Sequence, residues 1–135
     1  MIAFVLLAAL VGGADTVKHI VAKDIEAQLK TPPARLAQGD NYSVMTMRRT
    51  GPGQVEVHEK DTDVLYVIDG AATMITGGTP VDPQTTEPGE IRANTSTGGE
   101  ARRLVKGDVM TIVKGTPHWI SAVDGTITYF VVKVR

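Results

Sequence analysis

The sequence predicts one all-β domain, a sandwich or closed barrel, preceded by a single short helix. Three observations predict it. From Asn41 onward, short stretches rich in Val, Ile, Thr and Tyr alternate with turn signals such as Gly51-Pro52-Gly53 and Asp69-Gly70. Only Asp24 to Lys30 carries helical spacing, and no internal repeat or heptad pattern appears. The length of 135 residues, with 42% hydrophobic content, suits one domain with a core of useful size.

Taken in order, Thr16 to Val21 reads as an extended arm. Asp24 to Lys30 reads as a helix because Ile25 and Leu29 lie four apart on one face and Pro32-Pro33 stops it. Tyr42 to Met47 alternates as a strand, with Met45 and Met47 on one face as fillers of the interior. Gln54 to His58 is the next strand. Val64 to Ile68 is apolar on both faces, as expected of a strand covered on two sides. Asp69-Gly70 reads as a hairpin turn, with Ala71 to Thr76 returning from it. Gly77 to Gly99 is rich in Gly, Pro and Thr and reads as a long loop or insertion, mobile or folded as a lid, with one short strand at Glu90 to Ala93. Strands resume at Arg102 to Val105, Val109 to Val113, Trp119 to Ala122 and Thr126 to Val134. The domain division is therefore 1–14, an N-terminal arm and helix over 15–40, and the β domain over 41–135.

Composition narrows the function. The net charge of −1 offers no basic surface, so nucleic acid is not an expected partner. Cysteine is absent, so any metal must be held by His, Asp, Glu, Gln or water. Met1 to Gly13 is apolar and uncharged, and it is too short to span a bilayer, so no stable membrane anchor is expected. It has the length of a signal-peptide core, with a cut after Ala14 giving a secreted or periplasmic protein. The other reading is a buried N-terminal helix or strand in a cytoplasmic protein. The chain has no serine-nucleophile elbow, phosphate-binding glycine loop, or nicotinamide or flavin fingerprint.

The polar residues of the strands suggest chemistry. Residues two apart on a strand share a face, so Glu56 and His58 point together, with Gln54 beside them. Asp63 leads the next strand, and His118 opens a later one. If these segments pack, two imidazoles and two carboxylates converge, a donor set suited to Mn, Fe, Ni, Co or Zn. On the other reading His58 and Asp63 hydrogen-bond each other, and the Gly115-Thr116-Pro117 turn fixes His118. Arg48 and Arg49 end a strand, as a solvated end or as partners for an anionic group. Trp119 points away from His118, toward core or a dimer surface. His19 is expected at the surface.

Two stretches resemble the paired motifs of the cupin superfamily. The first motif contains H-x-H-x4-E-x6-G, and here Glu56-Val57-His58 is followed at that spacing by Asp63 and Gly70. The second reads G-x5-P-x-G-x2-H-x3-N, and here the same spacing gives Gly107, Val113, Gly115, His118 and Ala122. The resemblance to small single-domain cupins runs from Asn41 to Val132. It implies a jelly roll, the double-stranded β-helix of that superfamily, with one divalent metal at the barrel mouth. By position, His58 and His118 match ligand histidines, Asp63 stands at the glutamate position, and Glu56 replaces the first histidine. The implied metal is Mn, Fe, Ni or Zn. The implied enzyme is a dioxygenase, lyase or isomerase of a small oxygenated or carboxylated molecule. Glu56 or Asp63, whichever is not a ligand, would then be the general base. Other cupins are non-catalytic cups that bind a small ligand after loss of the metal, or dimers with an incidental cavity. A homodimer is implied in each case.

Overall fold

The computed structural model describes residues 16–135. The segment 1–14, read as an export signal or a buried element, lies outside the described residues. Val17 in the arm is 78% exposed, and His19 is also exposed. Helix α1 (Ala22–Gln28) begins two residues before the expected start, and Ile25 and its C-cap Leu29 are half-buried. No helix among the described residues is long and apolar enough to cross a membrane.

The β domain starts earlier than the sequence suggested. Strand β1 (Ala34–Gln38) pairs antiparallel with β2 (Tyr42–Arg49) and buries Leu36. A bulge between Arg35 and Ala37 interrupts its alternation, which hid it in the sequence. The other strands are β3 (Val55–His58), β4 (Thr62–Thr76), β5 (Thr79–Pro80), β6 (Gln84–Glu87), β7 (Glu90–Ala93), β8 (Ser96–Thr97), β9 (Glu100–Val105), β10 (Val109–Ile112) and β11 (His118–Val134). One sheet runs β1-β2-β11-β3-β7-β6, with β4 joining β11, β9 and β10, and β5-β8 forms a separate ribbon.

Strands β4 and β11 organise the domain. Each was expected as two strands, but each runs through its turn signal as one. The first half of β4 pairs with the second half of β11 (Leu65 opposite Val131), and the second half with the first (Met74 opposite Ile120). Gly70 at φ +83° bends β4 at the crossover, opposite irregular register in β11 between Val123 and Ile127. Asp69-Gly70 is therefore a bend within a strand, because β11 stays paired on both sides of it. The inward faces of both strands supply the core: Leu65, Val67, Ala72, Met74, Ile120, Ile127, Tyr129 and Val131, closed by Leu104 and Ile112.

The Gly77 to Gly99 segment, expected as a long loop or insertion with one short strand, carries four short strands, β5 to β8. The strand foreseen at Glu90 to Ala93 is present as β7, and it pairs with β3 along its length. Strand β6 then pairs with β7, and Trp119 donates from Nε1 to Ser96 Oγ at 3.2 Å. Backbone pairing, rather than bulky apolar side chains, ties the segment down.

Candidate metal centre

Four strands bring the polar residues together. Strand β3 lies between β11 and β7, with Glu56 opposite His118 on one side and Arg92 on the other, and His58 opposite Glu90. On β4, Asp63 faces Lys133 of β11. Opposite residues of antiparallel strands share a face. The alternation that buries Ile127, Tyr129 and Val131 therefore carries Lys133 inward too, and β2 adds Met45, Met47 and Arg49. These residues line a cavity of about 630 Å³. Met45, Met47, Leu65, Met74, Ile120 and Val131 make its apolar part; Glu56, His58, Asp63, His118, Arg49 and Lys133 make its charged part.

Both histidines are buried and anchored through Nδ1. His118 Nδ1–H donates to the Thr116 carbonyl at 3.0 Å, and His58 Nδ1–H to Glu90 Oε2 at 2.7 Å. Each Nε2 therefore turns to the same carboxylates. His58 Nε2 lies 3.5 Å from Glu56 Oε2 and 3.4 Å from Asp63 Oδ2. His118 Nε2 lies 3.8 Å from both atoms. Lys133 completes the cluster, with Nζ 2.8 and 2.9 Å from the two Asp63 oxygens and 2.9 Å from His58 Nε2. Arg92 reaches Glu90 at 3.1 Å and Glu56 at 3.6 Å.

Surroundings split the two imidazoles. Burial disfavours charge on His58, but hydrogen bonding to Asp63 and Glu56 outweighs it and Lys133's repulsion, raising its pKa to about 9. Burial dominates at His118 and lowers its pKa, despite the Thr116 carbonyl and both acids. Burial would raise the Glu56 carboxyl, but His58, Arg92 and His118 hold it at about 2. Asp63 is likewise lowered, its burial outweighed by His58 and Lys133.

These shifts predict how stability depends on pH in the metal-free protein. A raised histidine pKa stabilises the fold fully below about 6.5, and that contribution is lost as pH climbs through about 9. A depressed glutamate pKa stabilises above about 4.5, and that is lost as pH falls through about 2. Urea midpoints of metal-free protein should therefore be highest near about pH 6.5, declining toward pH 9 as His58 loses its proton and declining on the acid side because the depressed His118 costs stability below the ordinary histidine range. His58→Gln should flatten the alkaline limb.

The donor chemistry suits a divalent ion. Glu56, His58 and His118 each offer one atom, and the three lie within 4.8 Å of one another. Tetrahedral ligands about 2.1 Å from one ion sit about 3.4 Å apart, close to the imidazole–carboxylate separations here. Nδ1 donation from a histidine to a carboxylate or carbonyl is also the usual support for a metal-ligating imidazole. Three of the four residues singled out in the sequence thus converge, and Asp63 lies beside them, 3.4 Å from His58 Nε2 and 3.8 Å from His118 Nε2. Asp63 is the one engaged elsewhere, since both its oxygens are on Lys133.

Sequence reasoning missed Glu90, Arg92 and Lys133. Glu90 and Arg92 lie on the short strand foreseen at Glu90 to Ala93, whose pairing partner the sequence did not reveal. Lys133 carried a usable signal, because it continues the inward alternation of Ile127, Tyr129 and Val131. Arg49 is half-buried in the cavity wall, with Nε donating to Tyr129 Oη at 3.3 Å, whereas Arg48 is exposed.

No protein-family model and no curated protein matches the sequence. Solved structures do match. A cupin superfamily protein of Desulfitobacterium hafniense superposes with TM-score 0.53 at 15% identity, over 76% of this chain and 75% of that one. The chain has the cupin fold. A Bacillus halodurans protein matches this chain with TM-score 0.61 at 17% identity, over 89% of this chain and 83% of that one. A hydroquinone 1,2-dioxygenase from a Sphingomonas species, with 4-hydroxybenzoate bound, matches with TM-score 0.57 at 13% identity, over 82% and 71%. At such identities the likeness establishes the cupin fold, and the chemistry has to be argued from this chain's own residues.

Proposed function

We propose that the protein is a metal-dependent cupin acting on a small oxygenated or carboxylated molecule, with Glu56, His58 and His118 holding one divalent ion of Mn, Fe, Ni or Zn. One observation carries the reading: two imidazoles, each anchored at Nδ1, aim Nε2 at the same two carboxylates, with separations of 3.4 to 3.8 Å. The bound ion supplies Lewis acidity toward a substrate carbonyl or carboxylate oxygen.

The chain's own residues do the rest. Arg49 has no ion-pair partner among the described residues, so its guanidinium is available to a substrate carboxylate. The methionine-rich part of the cavity accepts an apolar portion of the same molecule. Of the two catalytic candidates, Glu56 goes to the ion and Asp63, held by the Lys133 ammonium, to proton transfer. The Sphingomonas dioxygenase, crystallised with 4-hydroxybenzoate, supports a carboxylated ligand by analogy of fold.

Lys133 favours a second reading, a small-ligand cup without metal, because its ammonium already pairs with both oxygens of Asp63 and stands 2.9 Å from His58 Nε2. Metal analysis of protein purified without a histidine tag separates the two. A tightly held stoichiometric ion supports the first; a stable protein that takes up no ion supports the second.

We also infer a homodimer. Tyr66, Val109 and Val113 are 48%, 66% and 61% exposed, and Val109 lies opposite Tyr66 in the β4–β10 pair. A shared apolar face of this kind is suited to burial against a second copy. Light scattering at micromolar concentration should give twice the chain mass; the mass of a single chain would refute the dimer.

A further inference from the structure

Lys133 stands out because it puts a positive charge inside a cluster whose donors suit a cation. Its Nζ contacts both oxygens of Asp63, at 2.8 and 2.9 Å, and His58 Nε2 at 2.9 Å. Asp63 is 4% exposed and His58 3%, so neither can exchange the lysine freely for water. The Lys133 side chain is 22% exposed and borders the cavity, so it has room to withdraw. No ion pair joins it to Glu56 among the described residues, so it lies on the Asp63 side of the cluster.

A divalent ion at His58 needs the Nε2 lone pair, and Lys133 approaches that atom to hydrogen-bond distance. An ammonium and a divalent ion cannot both stand beside His58 Nε2. Asp63 is contested in the same way, because a carboxylate with both oxygens on an ammonium is a poor ligand until the ammonium leaves.

We propose that Lys133 is a tethered cation that competes with the divalent metal and sets its affinity, occupying His58 and Asp63 when no ion is bound. This rests on reading Glu56, His58 and His118 as the metal-binding set. The wild-type centre is then a three-donor site held weak by its own lysine. Removing the lysine charge frees Asp63 as a fourth donor and leaves His58 unopposed.

The direction of the effect separates this role from a structural one. Damage to the fold weakens metal binding, whereas loss of a competitor tightens it. Calorimetric titration of manganese and of zinc ions into metal-stripped wild type, Lys133→Met and Lys133→Gln tests the proposal. Lys133→Gln keeps a hydrogen bond for Asp63 and guards against a variant that does not fold. Both variants should bind at least tenfold more tightly than wild type. Asp63→Asn should then cost far more affinity in the Lys133→Met background than alone, because only there is Asp63 a ligand. Equal or weaker binding by both lysine variants, with wild type still binding, overturns the proposal and leaves the metal reading intact. No binding by any of the chains overturns both.

Discussion

Gly70→Ala is expected to destabilise the protein by about 3 kcal/mol or more, adding the cost of a left-handed backbone to that of a backbone clash. The position lies at φ +83°, and a Cβ built there falls 1.9 Å from the Thr126 carbonyl oxygen. That oxygen belongs to β11, which is paired with β4 on both sides of the bend, so it cannot retreat as a surface side chain would. Gly115, also at positive φ, has nothing within 4 Å of its Cβ position, so Gly115→Ala serves as a control for backbone strain alone. Urea denaturation of both variants measures the difference. A loss at Gly70 no larger than at Gly115 would mean that the crossover is looser than described here.

Asp63→Ala is the second large effect expected, at about 3 kcal/mol in the metal-free protein, the lower end for breaking a buried ion pair. It leaves Lys133 and His58 facing each other 2.9 Å apart with the carboxylate that holds Lys133 removed. The lower end applies because the lysine, at 22% exposure, can recover some hydration. Adding Lys133→Met to Asp63→Ala should restore part of the loss, since an apolar pair replaces a stranded charge. Chemical denaturation of the single and double variants checks this. If Asp63→Ala unfolds at the parent's denaturant concentration, the pair contributes nothing to stability.

Much of this could be read from the chain because it is local. Alternation located β2, apolar and β-branched runs between turn signals located β3 and both halves of β4 and β11, and motif spacing picked out His58, His118 and Glu56, which converge, with Asp63 beside them. What failed depended on pairing between distant segments. Asp69-Gly70 has the composition of a hairpin, and only continuous pairing with β11 makes it a bend. Glu90 opened a strand the sequence did suggest, but only the pairing of β7 with β3 puts its carboxylate 2.7 Å from His58, 32 positions away in sequence. Lys133 resembled an ordinary charged strand end. Its inward direction was legible from Tyr129 and Val131, but its partner, 70 residues earlier, was not.

The central claim is that His58 and His118, with Glu56, form a divalent-metal centre. Titration calorimetry on metal-stripped, untagged protein, with His58→Ala/His118→Ala alongside, tests it most directly. The account predicts one ion bound per chain in the parent, with a stabilisation of about 2.7 kcal/mol when free ion stands a hundredfold above its dissociation constant. It predicts neither effect in the double variant. A parent that binds no divalent ion, or a double variant that binds as tightly as the parent, would contradict it.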